Sequence, residues 1–185
     1  MEIDNLRVLF TLYMASRTFS LGWLYQVLIP DSLGYGNTSS PKALDEFSLN
    51  SLSDDVAAIC AAIIPGEQIV LGGHDWGRAL AWRVAMWHPT LIKAVFSGIF
   101  GGRGEENEAI YTMERGVLFE NLDRIGPSPL LDEAKTDYYT IAFTQSGLRG
   151  PLNWYRTHQI NFEHEKGFTE KGRHKFAMPA LFILA

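Results

Sequence analysis

Apolar residues along this chain fall into short continuous runs, separated by turn residues and by stretches of helical period. Residues 6–14 (Leu-Arg-Val-Leu-Phe-Thr-Leu-Tyr-Met) and 25–30 (Tyr-Gln-Val-Leu-Ile-Pro) read as buried strands. The stretch 15–22 between them is short and shows no decisive period. Residues 34–41 (Gly-Tyr-Gly-Asn-Thr-Ser-Ser-Pro) read as a loop. Leu52, Val56, Ile59, Cys60 and Ile63 then share one helical face, with Ser51-x-x-Asp54 as a capping box and Pro65-Gly66 as the stop. A third apolar run, Ile69-Val70-Leu71, precedes a helical stretch over 78–88 that Pro89 closes, and 93–100 reads as a further strand. Strand, helix, strand, helix, strand in this order predicts parallel pairing with right-handed crossovers, the α/β class.

After Gly101 the pattern changes. Residues 101–106 read as an exposed linker. Residues from about 108 to 168 are polar and helical, with turns at Gly126-Pro127 and Gly150-Pro151. Residues 179–184 (Pro-Ala-Leu-Phe-Ile-Leu) return to a buried strand. The expected division is an α/β core over 1–100, a helical cap over 101–175 and a returning core strand over 176–185. The sheet is expected to be incomplete.

The chemistry concentrates where the third strand meets its helix. Gly73-His74-Asp75-Trp76-Gly77 has the form Gly-x-Asp-x-Gly, a nucleophile elbow with Asp in the nucleophile position. A Cβ at Gly73 or Gly77 would crowd the sharp turn. Such a turn lifts Asp75 above the sheet at a helix N-terminus, where free N–H groups and the helix dipole favour a carboxylate.

Composition narrows the class. The chain has 185 residues, 46% hydrophobic and 20% charged, as expected of one globular domain with a core. Net charge is −5 and no basic run stands out, which argues against nucleic acid as a partner. The single cysteine, Cys60, lies on an apolar helix face and fits a reducing compartment. Glu2 and Asp4 before the first apolar run argue against a secretory signal, and no run of about 18–20 apolar residues is present, so cytoplasm is the expected location. No metal cluster or phosphate-binding loop is seen, and no cofactor is implied.

Several motifs together resemble the epoxide hydrolases of the α/β-hydrolase superfamily. They are His74-Asp75-Trp76-Gly77, the preceding Pro30-Asp31-x-x-Gly34-Tyr35-Gly36, the following Ala81-Trp82-Arg83 and Trp87-His88-Pro89, and the later Gly150-Pro151-Leu152-Asn153-Trp154-Tyr155-Arg156. The likeness covers 25–100 and 131–184. It implies an α/β-hydrolase fold, a mostly parallel sheet flanked by helices under a reduced cap. It implies Asp75 as the nucleophile that opens an epoxide to an alkyl-enzyme ester, and Tyr155 as hydrogen-bond donor to the epoxide oxygen. The backbone N–H of Trp76 would be half of an oxyanion hole. An aromatic lining of Trp76, Trp154 and Phe143 would receive a small apolar epoxide, with Trp154 as the substrate-binding residue. Tyr111, Tyr138 and Tyr139 are candidates by residue type for a second cap tyrosine. The family also implies a catalytic acid and a histidine after the last strand, and neither follows Leu184 in this sequence. His74, His88, His158, His164 and His174 are the histidines present. The expectation is one alkylation without hydrolytic turnover. A haloalkane dehalogenase relative, sharing the Asp nucleophile, and a ligand-binding relative without turnover are the competing readings. A homo-oligomer is not indicated.

Overall fold

A computed structural model describes residues 6–11, 17–21, 25–99, 111–112, 115–124, 132–170, 172 and 175–184. The chain begins with three strands, β1 (Leu6–Thr11), β2 (Arg17–Leu21) and β3 (Tyr25–Ile29). Then come α1 (Leu49–Ile63), β4 (Ile69–His74), α2 (Trp76–Trp87) and β5 (Ile92–Ile99). A small hairpin, β6 (Tyr111–Thr112) and β7 (Gly116–Val117), leads to the helices α3 (Glu133–Ser146), α4 (Arg149–Asn153) and α5 (His158–Glu170). The chain returns to the sheet as β8 (Ala180–Leu184).

The main sheet has six strands in the order β2-β3-β1-β4-β5-β8. Every neighbouring pair is parallel except β2 with β3. The strands expected at 6–14, 25–30, 93–100 and 179–184 are therefore present, each within a few residues of the expected ends, but the last, expected to be buried, is an outer strand that leaves Leu181, Phe182 and Ile183 exposed. The stretch 15–22 contributes the antiparallel edge strand, Arg17 opposite Ile29 and Leu21 opposite Tyr25. The chain leaves β1 toward β3 on one side and crosses to β4 on the other. Such a reversal of strand order opens a crevice at the carboxyl ends of the strands.

The core lies between the sheet and α1 and α2. Ile69 and Leu71 of β4 and Ile92 and Val95 of β5 face Leu80, Ala81, Val84 and Ala85 of α2, with Leu52, Val56 and Cys60 of α1 beyond. Period 2 on the strands and period 3.6 on the helices bring these positions to one side. Two expectations for α1 need correction. Its cap is Ser48, whose hydroxyl accepts from the Ser51 N–H at 3.2 Å, so the helix starts a turn before the expected Ser51 box. Ile63 points outward at 47% exposure, and Ile64, beyond the last helical residue, fills the core in its place. The hairpin β6–β7 is likewise an addition to a segment expected to be helical. The linker expected at 101–106 lies outside the described residues.

Candidate active site

The turn from β4 into α2 is forced by its glycines and strained at its apex. A Cβ on Gly73 would collide with the carbonyl of Gly77, so the strand and the first helical turn meet only with hydrogen there. A Cβ on Gly72 would run into the Phe96 ring on β5. Asp75 has φ 52° and ψ −120°, the one non-glycine positive φ among the described residues. Holding a side chain there costs on the order of 1–3 kcal/mol. Asp75 occupies the N-cap position, where a carboxylate ordinarily accepts from the helix N–H groups. Here its backbone carbonyl accepts from Arg78 N at 3.0 Å, but its side chain makes no capping bond. The strained backbone leaves the exposed carboxylate outside the helix's hydrogen bonding. Trp76 is the first helical residue, and its N–H is one of the donors without an acceptor within the helix.

Three rings meet beside this turn. The indole of Trp76 packs edge-on against Tyr155, with centroids 5.1 Å apart and planes at 76°. It also meets His158 at 5.9 Å. Tyr155 lies in a short 3-10 turn, Trp154–Arg156, and His158 opens α5. Three residues apart on consecutive helical turns, both point the same way. Both are exposed, and their common neighbour is the residue after Asp75.

Trp154 is placed differently from the expectation of a substrate-binding ring. It is 2% exposed, donates its indole N–H to the Leu33 carbonyl at 2.9 Å, and stands edge-on to Tyr35 at 6.2 Å. Its burial pins the α4 segment to the loop after β3. That loop and α4 touch backbone to backbone, where a Cβ on Gly34 (φ +88°) would stand 2.7 Å from Gly150 Cα. Further anchors tie α5 to the core helices. Asn161 of α5 accepts from the Leu49 N–H at the start of α1 at 2.8 Å, and Arg83 of α2 makes a two-pronged pair with Glu165 at 3.0 and 2.8 Å. Such bidentate charge-assisted bonds fix orientation as well as distance.

Tyr35 is the site residue that sequence reasoning passed over. Between two glycines in a turn-rich run it reads as part of a loop, yet it is 5% exposed. Burial pushes its phenol well above the usual range, and the charges of Tyr155 and Asp75 push the same way, so the buried phenol lies within electrostatic reach of both. Its only sequence signal was its place in the Pro-Asp-x-x-Gly-Tyr-Gly run.

The other described candidates make their contacts elsewhere. His88 pairs with Asp54 at 2.9 Å where α2 ends, a helix length from Asp75. Tyr138 and Tyr139 pack on each other at 5.5 Å on α3, and Phe143 leans on the core. The side chain of Tyr111 and all of His174 lie outside the described residues. Cys60 is buried, and its thiol is pushed up to about 11 by burial, which leaves it unreactive. No group of three or more metal-binding side chains, and no helix long and apolar enough to cross a membrane, occurs among the described residues.

Comparison with known proteins agrees with this geometry. The family described as alpha/beta hydrolase fold matches residues 21–97. Epoxide hydrolase srdG of Neurospora crassa is 31% identical over 232 aligned residues, covering 89% of this chain and 68% of that protein. Bifunctional epoxide hydrolase 2 of Sus scrofa is 28% identical, and there the match covers 87% of this chain but 38% of the relative. Among solved structures, a laboratory-evolved potato epoxide hydrolase superposes with a TM-score of 0.74 at 21% identity, over 97% of this chain and 75% of that one. Epoxide hydrolase VrEH1 of Vigna radiata gives 0.74 at 22% identity, over 97% and 73%. The chain thus spans about two thirds of the fungal relative and a smaller part of the mammalian one. With its parallel sheet, strained Asp elbow and shared sequence, it belongs to the epoxide hydrolase family of the α/β-hydrolase superfamily.

Proposed function

We propose that this chain opens small, apolar epoxides at Asp75. A carboxylate oxygen of Asp75 attacks a ring carbon. The ring carbon–oxygen bond breaks, and the electron pair left on oxygen takes a hydrogen bond and then the proton of Tyr155. The product is an alkyl ester on Asp75 with a neighbouring hydroxyl, and solvent returns the proton to the tyrosine. Residues 101–175 act as the cap in this scheme, with Trp154 serving as its pin and Trp76 and Tyr155 as the aromatic wall. The observation that carries the proposal is the Trp76–Tyr155 contact beside a nucleophile left free of capping duty.

The second half of the reaction needs a base-activated water, with the Trp76 N–H as one donor to the oxyanion. His88 is engaged with Asp54 at the other end of α2. His158 stands beside Trp76, but no described residue hydrogen-bonds its ring to orient it. With neither His88 nor His158 oriented as a base beside Asp75, we expect the ester to form once and hydrolyse slowly. A cytoplasmic location belongs to the same proposal, supported by the single buried thiol.

Intact-mass analysis after incubation with styrene oxide tests both halves. The wild type gains one substrate mass and Asp75→Asn gains none. Steady diol release that disappears in Asp75→Asn would refute the stall and keep the nucleophile. Adduct or diol formation unchanged in Asp75→Asn would remove Asp75 from the reaction.

A further inference from the structure

The opposite edge of the sheet carries a separate cavity of about 720 Å³. It opens at the start of β4 and β5, below the end of α2 and α5. Five residue steps of strand separate this end of β4 from the elbow, on the order of 16 Å. The volume lies in the range of small-molecule sites.

Its walls are aromatic and sulfur-bearing. Trp87 and Phe168 stand edge to face at 5.5 Å, and Phe176 and Met178 close another side. Phe176 is fixed in turn by Trp82 at 5.0 Å. Two cations interrupt this lining, Lys93 on β5 and Lys175 before β8. Neither forms an ion pair or hydrogen bond with any described residue. Aromatic and methionine walls with two ammonium groups among them suit a ligand with a hydrocarbon body and one anionic end.

We propose that this cavity binds a single-chain amphiphile with a carboxylate head, its tail among Trp87, Phe168, Phe176 and Met178 and its head at Lys93 and Lys175. The site is independent of the chemistry at Asp75.

Calorimetric titration of the full chain with dodecanoate, dodecanol and dodecyltrimethylammonium, each below its micelle concentration, tests the assignment. Dodecanoate should bind saturably with one equivalent, dodecanol more weakly, and the cation not at all. The charge reversal Lys93→Glu with Lys175→Glu should weaken dodecanoate at least tenfold, and Ala177→Trp, which fills the chamber from its exposed rim, should also weaken it. Both variants change exposed positions, and an unchanged melting temperature confirms their folding. Asp75→Asn and Tyr155→Phe should leave dodecanoate binding unaltered. The proposal is overturned if dodecanoate does not saturate, if the cation binds equally, if the charge reversal has no effect, or if the Asp75 or Tyr155 variants abolish binding.

Discussion

Helices α2 and α3 have nearly the same length, 12 and 14 residues, and opposite foundations. Helix α2 buries Gly77, Leu80, Ala81, Val84 and Ala85 against β4 and β5, and its Trp82 indole reaches the buried Ser97 hydroxyl at 3.2 Å. Helix α3 buries no residue. Apart from Phe143, which packs half-buried against the core, its support is local: Asp132 caps the Lys135 N–H at 2.8 Å, and the hydroxyls of Thr136, Thr140 and Thr144 bond back to carbonyls one turn earlier. Hydroxyls that bond back in this way do little for a helix and often bend it. A helix of this length resting on local terms is marginal in water. The nucleophile therefore sits on the part of the molecule that packing holds rigid, whereas α3 touches that core chiefly through Phe143.

The contrast can be broken most directly in the core. Leu80→Ala should cost about 2–5 kcal/mol in urea unfolding, while Ile141→Ala on the exposed face of α3 should stay within about 0.5 kcal/mol. Equal costs would mean that both helices are structural to the same degree. Tyr155→Phe should slow adduct formation about a hundredfold in rapid-quench mass analysis with little change in melting temperature. Asp75→Gly should abolish the adduct while raising stability by about 1 kcal/mol, because glycine relieves the positive φ. A loss of stability on that change would show that the elbow is not strained.

The smallest effect separates the helices by pH. The Lys135 side chain, and then its backbone N–H, hold the Asp132 carboxyl below the usual range. A depressed folded value means that the cap's contribution is present above the unfolded value and is lost as pH falls through the folded one. Amide exchange within 133–146 should accelerate several-fold in that acid range, relative to the amides of α2, and Asp132→Ala should remove the difference.

Much of this was legible in the sequence, and the rest was hidden for identifiable reasons. The elbow could be read because steric demand at Gly73 leaves a fixed spacing to the helix, and the parallel strands because they are unbroken apolar runs, although the run of β8 lies on an exposed outer strand. The start of α1 was misplaced because Ser48 and Ser51 both offer hydroxyls, and only the backbone shows which one stands outside the helix. Arg17–Leu21 mixes polar and apolar residues without a decisive period, and only β3 alongside makes it a strand. Trp154 and Tyr155 are adjacent aromatics in one motif, and a sequence does not reveal which face a 3-10 turn buries. Trp154 turned inward to Leu33 and Tyr155 outward to Trp76. Tyr35 was hidden for the converse reason, since its burial comes from chain more than a hundred residues away.

The central claim is that Asp75 is a free, strained carboxylate that reacts with an epoxide under Tyr155. Peptide mapping of the styrene oxide adduct tests it most directly. One substrate mass on the peptide that contains Asp75, absent from Asp75→Asn and slowed in Tyr155→Phe, is the predicted result. An adduct on a histidine or on Cys60 with Asp75 unmodified would contradict it.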